Sequence, residues 1–306
     1  MIVVFGSLVV DMLNRVERFP RPGETVLCPD YQLVPGGKGA NQAVAAARAL
    51  ATDMPVHMIG TVGSDTFAEN ALSVLDGSPV NIGHVARGTL PTAVASIGIV
   101  PSGENSIILA TGANRESRAD QVPDDLLHPN TWLLLQLEVT LEENWALMER
   151  AKARGARVVL NAAPTMAVPE EAIAQCDYLI VNEIEATAVA GGETDAIAAA
   201  RSLYDRYGIT TIVTLGPGGA RAFSGDGHWS VGTLEIDAVD STGAGDAFVG
   251  TLTAALAEGA NLPDAMRLAS VGGGLACLSV GCQTAFAGRA EIDRRSMEIP
   301  AATRID

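Results

Sequence analysis

Short apolar runs that alternate with segments of helical period are the feature that most constrains the fold of this 306-residue chain. The runs are VHMIGTVG, TWLLLQLEV, RVVLNAAP, CDYLIVNE and ITTIVTLG, and they are separated by segments such as LEENWALMERAKARG and TDAIAAARSLYDRYG. Strands that are apolar at nearly every position are buried on both faces, which requires a mostly parallel sheet with helices on each side. The pattern therefore predicts an α/β fold built from repeated strand–helix–strand units. The apolar opening MIVVFGSLVVD is predicted as one buried strand.

Residues 86–111 break this pattern. Within VARGTLPTAVASIGIVPSGENSIILATG, two apolar runs flank the polar turn PSGEN, which indicates a hairpin. We expect a small antiparallel lid there, completed by parts of residues 9–35, on a single domain that spans 1–306. Alternation in TAVASIGIV leaves one face of the lid apolar, so we also expect two lids to pack together in a homodimer.

The composition restricts the partners. A net charge of −16 and a pI near 4.6 argue against a nucleic-acid or anionic membrane surface, because such partners require clustered Lys and Arg. The expected partner is a small molecule. Four scattered cysteines without a CxxC pair, and an opening that lacks the basic start of a signal peptide, predict reduced thiols and a cytoplasmic location.

The stretch DSTGAGDAF at 240–248 is the strongest candidate for chemistry. Glycines at 243 and 245 allow consecutive backbone N–H groups to turn inward, and a helix that begins near Asp246 adds the positive end of its dipole. No Lys or Arg occurs between Arg221 and Arg267, so an anion bound here relies on main-chain donors. The alternative is a tight strand-to-helix turn in which Asp246 only caps the helix.

Common nucleotide and metal motifs are missing from the sequence. The only Gly-Lys pair is Gly37-Lys38, it lacks the P-loop spacing, and GxGxxG does not occur. The four histidines are far apart and lack the spacing of metal ligands. These observations disfavour P-loop, dinucleotide-binding and zinc enzymes.

A second glycine-rich turn, PGGKGANQAVAAARA at 35–49, also leads into a helix. It carries Lys38, one of two lysines in the chain, together with Asn41. We interpret this turn as part of a site for a polyol, the alternative being a solvated loop lysine. Further polar residues follow predicted strands, where open α/β sheets bind ligands, although such residues also cap helices. They are Asp11, Glu138, Asn161, Asn182, Glu183, Glu185 and Thr214.

The motifs GGKGANQA and DSTGAGDAF resemble the two signatures of the PfkB, or ribokinase-like, carbohydrate kinases. The resemblance continues through GSLVVD, IGTVGSD, TGAN, QLE, VNEIE and TLGPGG, and the order and spacing are most similar to the ribokinase branch. It implies a ribokinase-like fold with a central sheet, flanking helices and a β lid. It also implies an ATP-dependent kinase that transfers the γ-phosphoryl group to a sugar hydroxyl.

The resemblance assigns roles to individual positions. Asp246 becomes the base that accepts the hydroxyl proton, and the backbone of Gly243, Ala244 and Gly245 becomes an anion hole. The residues it assigns to the sugar are Asp11, Gly37, Lys38, Asn41 and Glu138. Those it assigns to the nucleotide are Asn182, Thr214, Gly216 and Gly219.

The resemblance also implies two kinds of metal ion. Glu185 would place Mg²⁺ through water, since hard cations prefer oxygen ligands. A monovalent cation, K⁺, would be held by Asp240 and Thr242 together with backbone carbonyls of a later segment, which is aligned by spacing. The residues of that segment are Ala276, Ser279, Gly281 and Ala285.

One position departs from the ribokinase pattern. That branch carries Asn two residues before the substrate aspartate, whereas this chain has Val9. The missing amide disfavours D-ribose as the best substrate and favours deoxyribose, another pentose or ketose, or a nucleoside. A nucleoside kinase of the same family and a catalytically silent sugar- or nucleotide-binding regulator are the alternatives.

Overall fold

The structure, a computed structural model, describes residues 1–192 and 194–305. Within them, the predicted mostly parallel sheet is confirmed as a sheet of ten strands. Seven neighbouring strands run parallel, and three antiparallel strands complete one edge. The parallel strands, in spatial order, are β5 (Val80–Arg87), β4 (Val56–Val62), β1 (Ile2–Phe5), β8 (Trp132–Leu135), β9 (Arg157–Asn161), β10 (Tyr178–Asn182) and β11 (Thr210–Thr214). The antiparallel strands are β12 (Ala220–Ser224), β13 (Gly227–Val231) and β14 (Thr303–Ile305).

Helices cover both faces of this sheet. They are α1 (Lys38–Ala49), α2 (Thr66–Asp76), α3 (Leu141–Ala153), α4 (Glu170–Ile173), α5 (Glu183–Ala190), α6 (Ala196–Tyr207), α7 (Ala244–Ala257), α8 (Leu262–Ala276) and α9 (Arg289–Ser296). Successive strand residues point to opposite faces, so Val4 joins the core beneath α1, α7 and α8, while Val3 joins the core beneath α3, α5 and α6. Nearly continuous apolar strands therefore fill two cores.

A second sheet of four strands forms the lid. Its strands, in spatial order, are β3 (Tyr31–Gly36), β2 (Val9–Arg15), β6 (Ala93–Ile99) and β7 (Asn105–Ala110). The outer pairs are antiparallel as expected, but β2 and β6 run parallel, because the chain between them crosses the large sheet. The second lid segment begins at Ala93 and not at residue 86 as expected, because Ala86 and Arg87 are the last residues of β5 in the large sheet.

The opening apolar run is two strands, which differs from the single strand expected. β1 belongs to the large sheet and β2 to the lid, and Gly6 to Leu8 connect them. The side chain of Asn114 accepts a hydrogen bond from the N–H of Leu8 at 3.0 Å and donates one to its carbonyl at 3.1 Å. This long-range contact satisfies the backbone at the point where the chain leaves one sheet for the other.

No helix within residues 1–192 and 194–305 is both long enough and apolar enough to cross a bilayer. Cys28, Cys176, Cys277 and Cys282 are free thiols.

Candidate functional site

The polar residues that follow the parallel strands meet at one edge of the large sheet. Asn161, Asn182 and Thr214 are the last residues of β9, β10 and β11, and Glu138 lies three residues beyond the end of β8. Parallel strands align their carboxyl ends, so residues distant in sequence gather in one crevice. The N-termini of α1 and α7 and the inner face of the lid close this crevice.

Asp246 lies in the first turn of α7, and two amides from α1 hold its carboxylate. Asn41 Nδ2 donates to Asp246 Oδ2 at 2.9 Å, and Gln42 Nε2 donates to Asp246 Oδ1 at 2.9 Å. Asn41 Oδ1 in turn accepts from Gln283 Nε2 at 3.1 Å. Asp246 is 7 % exposed, so these hydrogen bonds replace much of the water that a carboxylate normally binds.

The N-terminus of α7 presents backbone donors to the crevice. Gly243 precedes the helix with φ +80, a conformation that side chains rarely adopt, and a Cβ there would lie 3.1 Å from Cys282. The Ala244 N–H donates to the Ser241 carbonyl at 3.2 Å. The first N–H groups of a helix have no partner within it, which makes those of Gly245 and Asp246 available to an anion. A Cβ on Gly245 would meet no atom of the described residues within 4 Å, because Gly245 faces open space.

The N-terminus of α1 differs, because protein groups already accept from its first N–H groups. Gly37 precedes the helix with φ +91, which allows the turn to pack against residues 7–9. Lys38 N donates to Glu138 Oε2 at 3.0 Å, and Gly39 N donates to Ser7 Oγ at 3.3 Å. Ser7 Oγ also donates to Glu138 Oε2 at 2.6 Å. The glycine-rich turn at 35–49 therefore positions side chains and does not form a second anion hole.

Asp11 reaches the site from the lid. Burial, together with the negative charges of Glu138 and Asp246, raises the pKa of Asp11 from 3.8 to about 7. Val9 lies two residues earlier on the same face of β2. It is 2 % exposed and packs in an apolar cluster with Ala93 and Ala95 of the adjacent strand. The wall of the lid beside Asp11 is therefore apolar.

A small cavity of about 120 Å³ lies between α7 and the strand ends. Lys38, Asn161, Asn182, Glu185 and Asp246 line it. Burial opposes the charge of the Lys38 ammonium, but neighbouring carboxylates outweigh burial and raise its pKa. They belong to Asp246, Glu138 and Glu185. Burial raises the pKa of Glu185 in turn. The Lys38 ammonium thus lies among several carboxylates.

Asn182 and Glu185 form a reciprocal cap at the start of α5. Asn182 Oδ1 accepts from Glu185 N at 2.9 Å, and Glu185 Oε2 accepts from Asn182 N at 2.8 Å. Both side chains therefore have a structural role, and the same cap fixes them beside the small cavity. Glu183 is the first helical residue and is exposed.

A larger cavity of about 890 Å³ opens on the other side of the α7 N-terminus. Thr214, Gly216 and Gly219 line it, with Leu234 and Phe248 among its apolar residues. Gly245 borders both cavities, so the two spaces meet at the α7 N-terminus. This volume lies within the range of about 300–1,000 Å³ that is typical of pockets for small molecules.

The loop before α7 lies against the segment that follows α8. Asp240 Oδ1 accepts from Thr242 N at 2.9 Å and from Thr242 Oγ1 at 2.6 Å, and Asp240 Oδ2 accepts from Gly281 N at 3.4 Å. The structure thus brings Asp240, Thr242 and Gly281 together. Ala276 ends α8, while Ser279 and Ala285 lie on either side of Gly281 in the same segment. Groups of three or more His, Cys, Asp or Glu side chains arranged to bind a metal do not occur in the described part of the chain.

Four site residues were not singled out from the sequence. Gln42 and Gln136 lie within the motifs GGKGANQA and QLE, but nothing local distinguishes them from packing amides. Gln283 lies in the segment after α8 and donates to Asn41. Arg48 holds the same segment by donating to the carbonyls of Gln283 and Phe286 at 2.7 and 2.8 Å. Their partners are more than 90 residues away, a separation that periodicity does not reveal.

Comparisons with known proteins identify a matching family, relatives and similar solved structures. The family model described as "pfkB family carbohydrate kinase" matches residues 1–287. A deoxyribokinase of Salmonella typhi is 34% identical over 294 residues, covering 93% of this chain and 95% of the relative. A ribokinase of Lactococcus lactis is 34% identical over 300 residues, covering 97% of each. The structure of an Arabidopsis thaliana ribokinase complexed with ribose and ATP superposes with a TM-score of 0.87 at 28% identity, covering 96% of this chain and 98% of that one.

Proposed function

The chain belongs to the pfkB family of carbohydrate kinases. We propose that its substrate is a deoxypentose, a sugar that presents no hydroxyl group to the side chain of Val9. The protein is an ATP-dependent sugar kinase, as its relatives and the matching family indicate. The observation that supports the narrower proposal is the apolar wall of Val9, Ala93 and Ala95 beside Asp11.

In the proposed reaction, a sugar hydroxyl oxygen attacks the γ-phosphorus of ATP, the bond to the β-phosphate oxygen breaks, and ADP leaves. The hydroxyl proton passes to the Asp246 carboxylate. The N–H groups at the start of α7 stabilise the charge on the transferred group, and Lys38 contributes its ammonium from the small cavity. Such transfers have a loose transition state, so positioning and charge stabilisation provide most of the rate acceleration.

The proposed sugar subsite lies between the lid and α1. Asp11 and Glu138 would accept hydrogen bonds from adjacent sugar hydroxyls, beside the backbone of Gly37. Asn41 also borders this space, but its amide nitrogen binds Asp246. We therefore propose that Asn41 orients the base at the same time as it borders the sugar. The nucleotide would occupy the larger cavity, beside Thr214, Gly216 and Gly219.

The small cavity suits Mg²⁺, because Mg²⁺ prefers oxygen ligands and the cavity is lined by the carboxylates and amides of Glu185, Asp246 and Asn182. Glu185, with the adjacent Asn182, would hold the ion through water, and the ion would neutralise charge on the phosphate oxygens. For a monovalent cation such as K⁺, we propose the loop of Asp240 and Thr242 with the segment 276–285, where carboxylate and carbonyl oxygens lie close together.

We further propose that the protein is a homodimer formed through the lids. The apolar face that carries Val9 continues through Leu13, Ile97 and Ile107, and the last of these is 55% exposed. Exposed apolar surface of this kind favours association. Sedimentation at micromolar concentration should find dimers for the wild type and monomers for Ile107→Lys. A wild type that sediments only as a monomer would contradict this proposal. The free thiols are consistent with a cytoplasmic protein.

The substrate proposal is tested by kcat/KM for ribose, deoxyribose, several ketoses and adenosine in the wild type and in Val9→Asn. A buried hydroxyl without a partner costs about 1–3 kcal/mol, which corresponds to a factor of roughly 5–150 in kcat/KM. Deoxyribose should therefore exceed ribose in the wild type, and Val9→Asn should increase the relative activity with ribose. A preference for ribose in the wild type, unchanged by Val9→Asn, would refute the proposal.

The same panel distinguishes the alternatives. Adenosine as the best substrate would identify a nucleoside kinase. Binding of sugar and ATP without turnover would identify a regulator, a result that the hydrogen-bonded Asp246 makes unexpected.

A further inference from the structure

A row of buried side-chain amides connects the large sheet to the catalytic carboxylate. Gln136 Nε2 donates to Gln42 Oε1 at 2.7 Å, and Gln42 Nε2 donates to Asp246 Oδ1 at 2.9 Å. The second hydrogen of the same Gln42 nitrogen is directed to Asn161 Oδ1 at 2.9 Å. Gln42 and Gln136 are 0% exposed. Neither side chain lines the two cavities, so neither contacts a bound substrate there.

The direction of each hydrogen bond in this row is fixed by chemistry. An ionised carboxylate only accepts hydrogen bonds, so Gln42 must turn its nitrogen toward Asp246. Its oxygen then faces Gln136, which must present its own nitrogen. Asn161 requires the same arrangement, because its Nδ2 donates to the Ile180 carbonyl at 3.2 Å and leaves its oxygen toward Gln42. Reversing Gln42 would oppose oxygen to oxygen at two contacts.

We infer that Gln42 is a positioning residue that fixes the plane of the Asp246 carboxylate for proton acceptance, and that Gln136 acts through Gln42 to hold that orientation. This inference rests on the proposed role of Asp246 as the base. Asn41 and Gln42 each bind one carboxylate oxygen, so rotation of the carboxylate would break both hydrogen bonds. Hydrogen bonds to an ionised carboxylate are shorter and stronger than those between neutral groups, so both contacts oppose this rotation.

The inference predicts a loss of turnover without a loss of binding. Gln42→Met preserves the approximate volume but removes the donor, so kcat should fall roughly 10–100-fold while KM for sugar and for ATP changes less than about 3-fold. Gln136→Met leaves the contact with Asp246 but frees Gln42 to rotate, so kcat should fall less, by roughly 3–10-fold. A merely structural role would instead lower the melting temperature and the fraction of active enzyme.

Gln121→Met is the matched control. Gln121 is partly buried, whereas Gln42 is fully buried, but it too makes several hydrogen bonds, to Gly60, Thr61 and Arg118, and it lies outside the row. This variant should lose thermal stability and retain the kcat of the wild type. Equal kcat in Gln42→Met and Gln121→Met would overturn the inference.

Gln42→Glu provides a rescue that depends on pH. A protonated carboxyl at this position can still donate to Asp246 Oδ1, whereas an ionised one only accepts and repels it. The ratio of variant kcat to wild-type kcat should therefore be highest near pH 6 and fall by roughly 10-fold or more toward pH 9. The ratio isolates position 42, because both proteins carry the same titratable groups facing Asp246. These are Asp11, Lys38, Glu185 and Cys282, with Glu138 beside Asp11 and Lys38.

Asp246→Asn separates this inference from the proposed function. An active Asp246→Asn variant would refute the role of the base itself. An inactive Asp246→Asn variant combined with unaltered kcat in Gln42→Met, or with a Gln42→Glu ratio that is constant with pH, would refute only the positioning role. If Gln42→Met does not fold, Gln136→Met and Gln42→Glu still decide the question.

Discussion

Replacing Asp11 with asparagine should stabilise the ligand-free protein at neutral and alkaline pH, although Asp11 belongs to the proposed sugar subsite. Its pKa rises from 3.8 to about 7 because burial removes the carboxyl from water and because Glu138 and Asp246 add negative charge nearby. At about 1.4 kcal/mol for each pH unit, this rise corresponds to a destabilisation of about 4 kcal/mol when Asp11 is ionised in the folded state.

The sign of the effect follows from proton binding. Below the unfolded pKa of 3.8, Asp11 is protonated in both states and the penalty is absent. As pH rises from there to about 7, the unfolded chain has lost its proton while the folded protein retains it, so the free energy of unfolding falls. Above the folded pKa the loss is complete and no longer changes with pH. Asparagine carries no charge at any of these values.

Urea unfolding of the wild type and of Asp11→Asn, from about pH 4 to about pH 8, measures this difference. The two free energies of unfolding should be similar near pH 4, and the variant should become more stable as pH increases, by up to about 4 kcal/mol. Asp53→Asn, at an exposed position, is the control for the loss of a carboxylate elsewhere in the chain. A constant difference between Asp11→Asn and the wild type at all pH values, or a less stable variant at pH 8, would show that the charge of Asp11 does not destabilise the folded protein.

Two further predictions concern the anion hole and the metal ion. Gly243→Ala should lower both stability and activity, because Gly243 has a positive φ and a Cβ there would lie 3.1 Å from Cys282. Gly245→Ala should keep the melting temperature of the wild type but lose turnover, because its Cβ enters the cavity. A stable, active Gly243→Ala variant or a fully active Gly245→Ala variant, in thermal melts and kinetics, would contradict these roles. Glu185→Gln retains an oxygen that accepts from Asn182 N but loses the charge, so half-maximal activity should require roughly 10-fold more Mg²⁺ with the helix cap intact. Titration of the activity with Mg²⁺ checks this, and an unchanged requirement would count against Glu185.

The parallel sheet was predictable because most of its strands are apolar at nearly every position, a local property of the sequence that the exposed edge strand β5 lacks. The break between β1 and β2 was not, because the Asn114 side chain that satisfies Leu8 lies 106 residues away. The expected anion hole also changed in detail. The resemblance assigned the anion hole to the backbone of Gly243, Ala244 and Gly245, but in the structure the Ala244 N–H binds Ser241, and Gly245 faces open space.

The amides around Asp246 illustrate the limit of sequence patterns most clearly. Asn41 and Gln42 follow each other on α1, and both reach Asp246, 205 and 204 residues further along the chain. The helical period of the sequence predicts which face of α1 is buried. It does not distinguish an amide that binds a catalytic carboxylate from one that only packs in the core. Only the packing of α1 against α7 reveals that the two side chains converge on the same carboxylate.

The role of Asp246 as the base is tested by the kcat of Asp246→Asn, measured together with the dissociation constants of sugar and ATP. We expect kcat to fall roughly 10²–10⁴-fold while both dissociation constants change little, because the carboxylate acts mainly in the transition state. A folded Asp246→Asn variant that turns over within about 3-fold of the wild type would exclude this role, because no other carboxylate holds this position at the α7 N-terminus within the described residues.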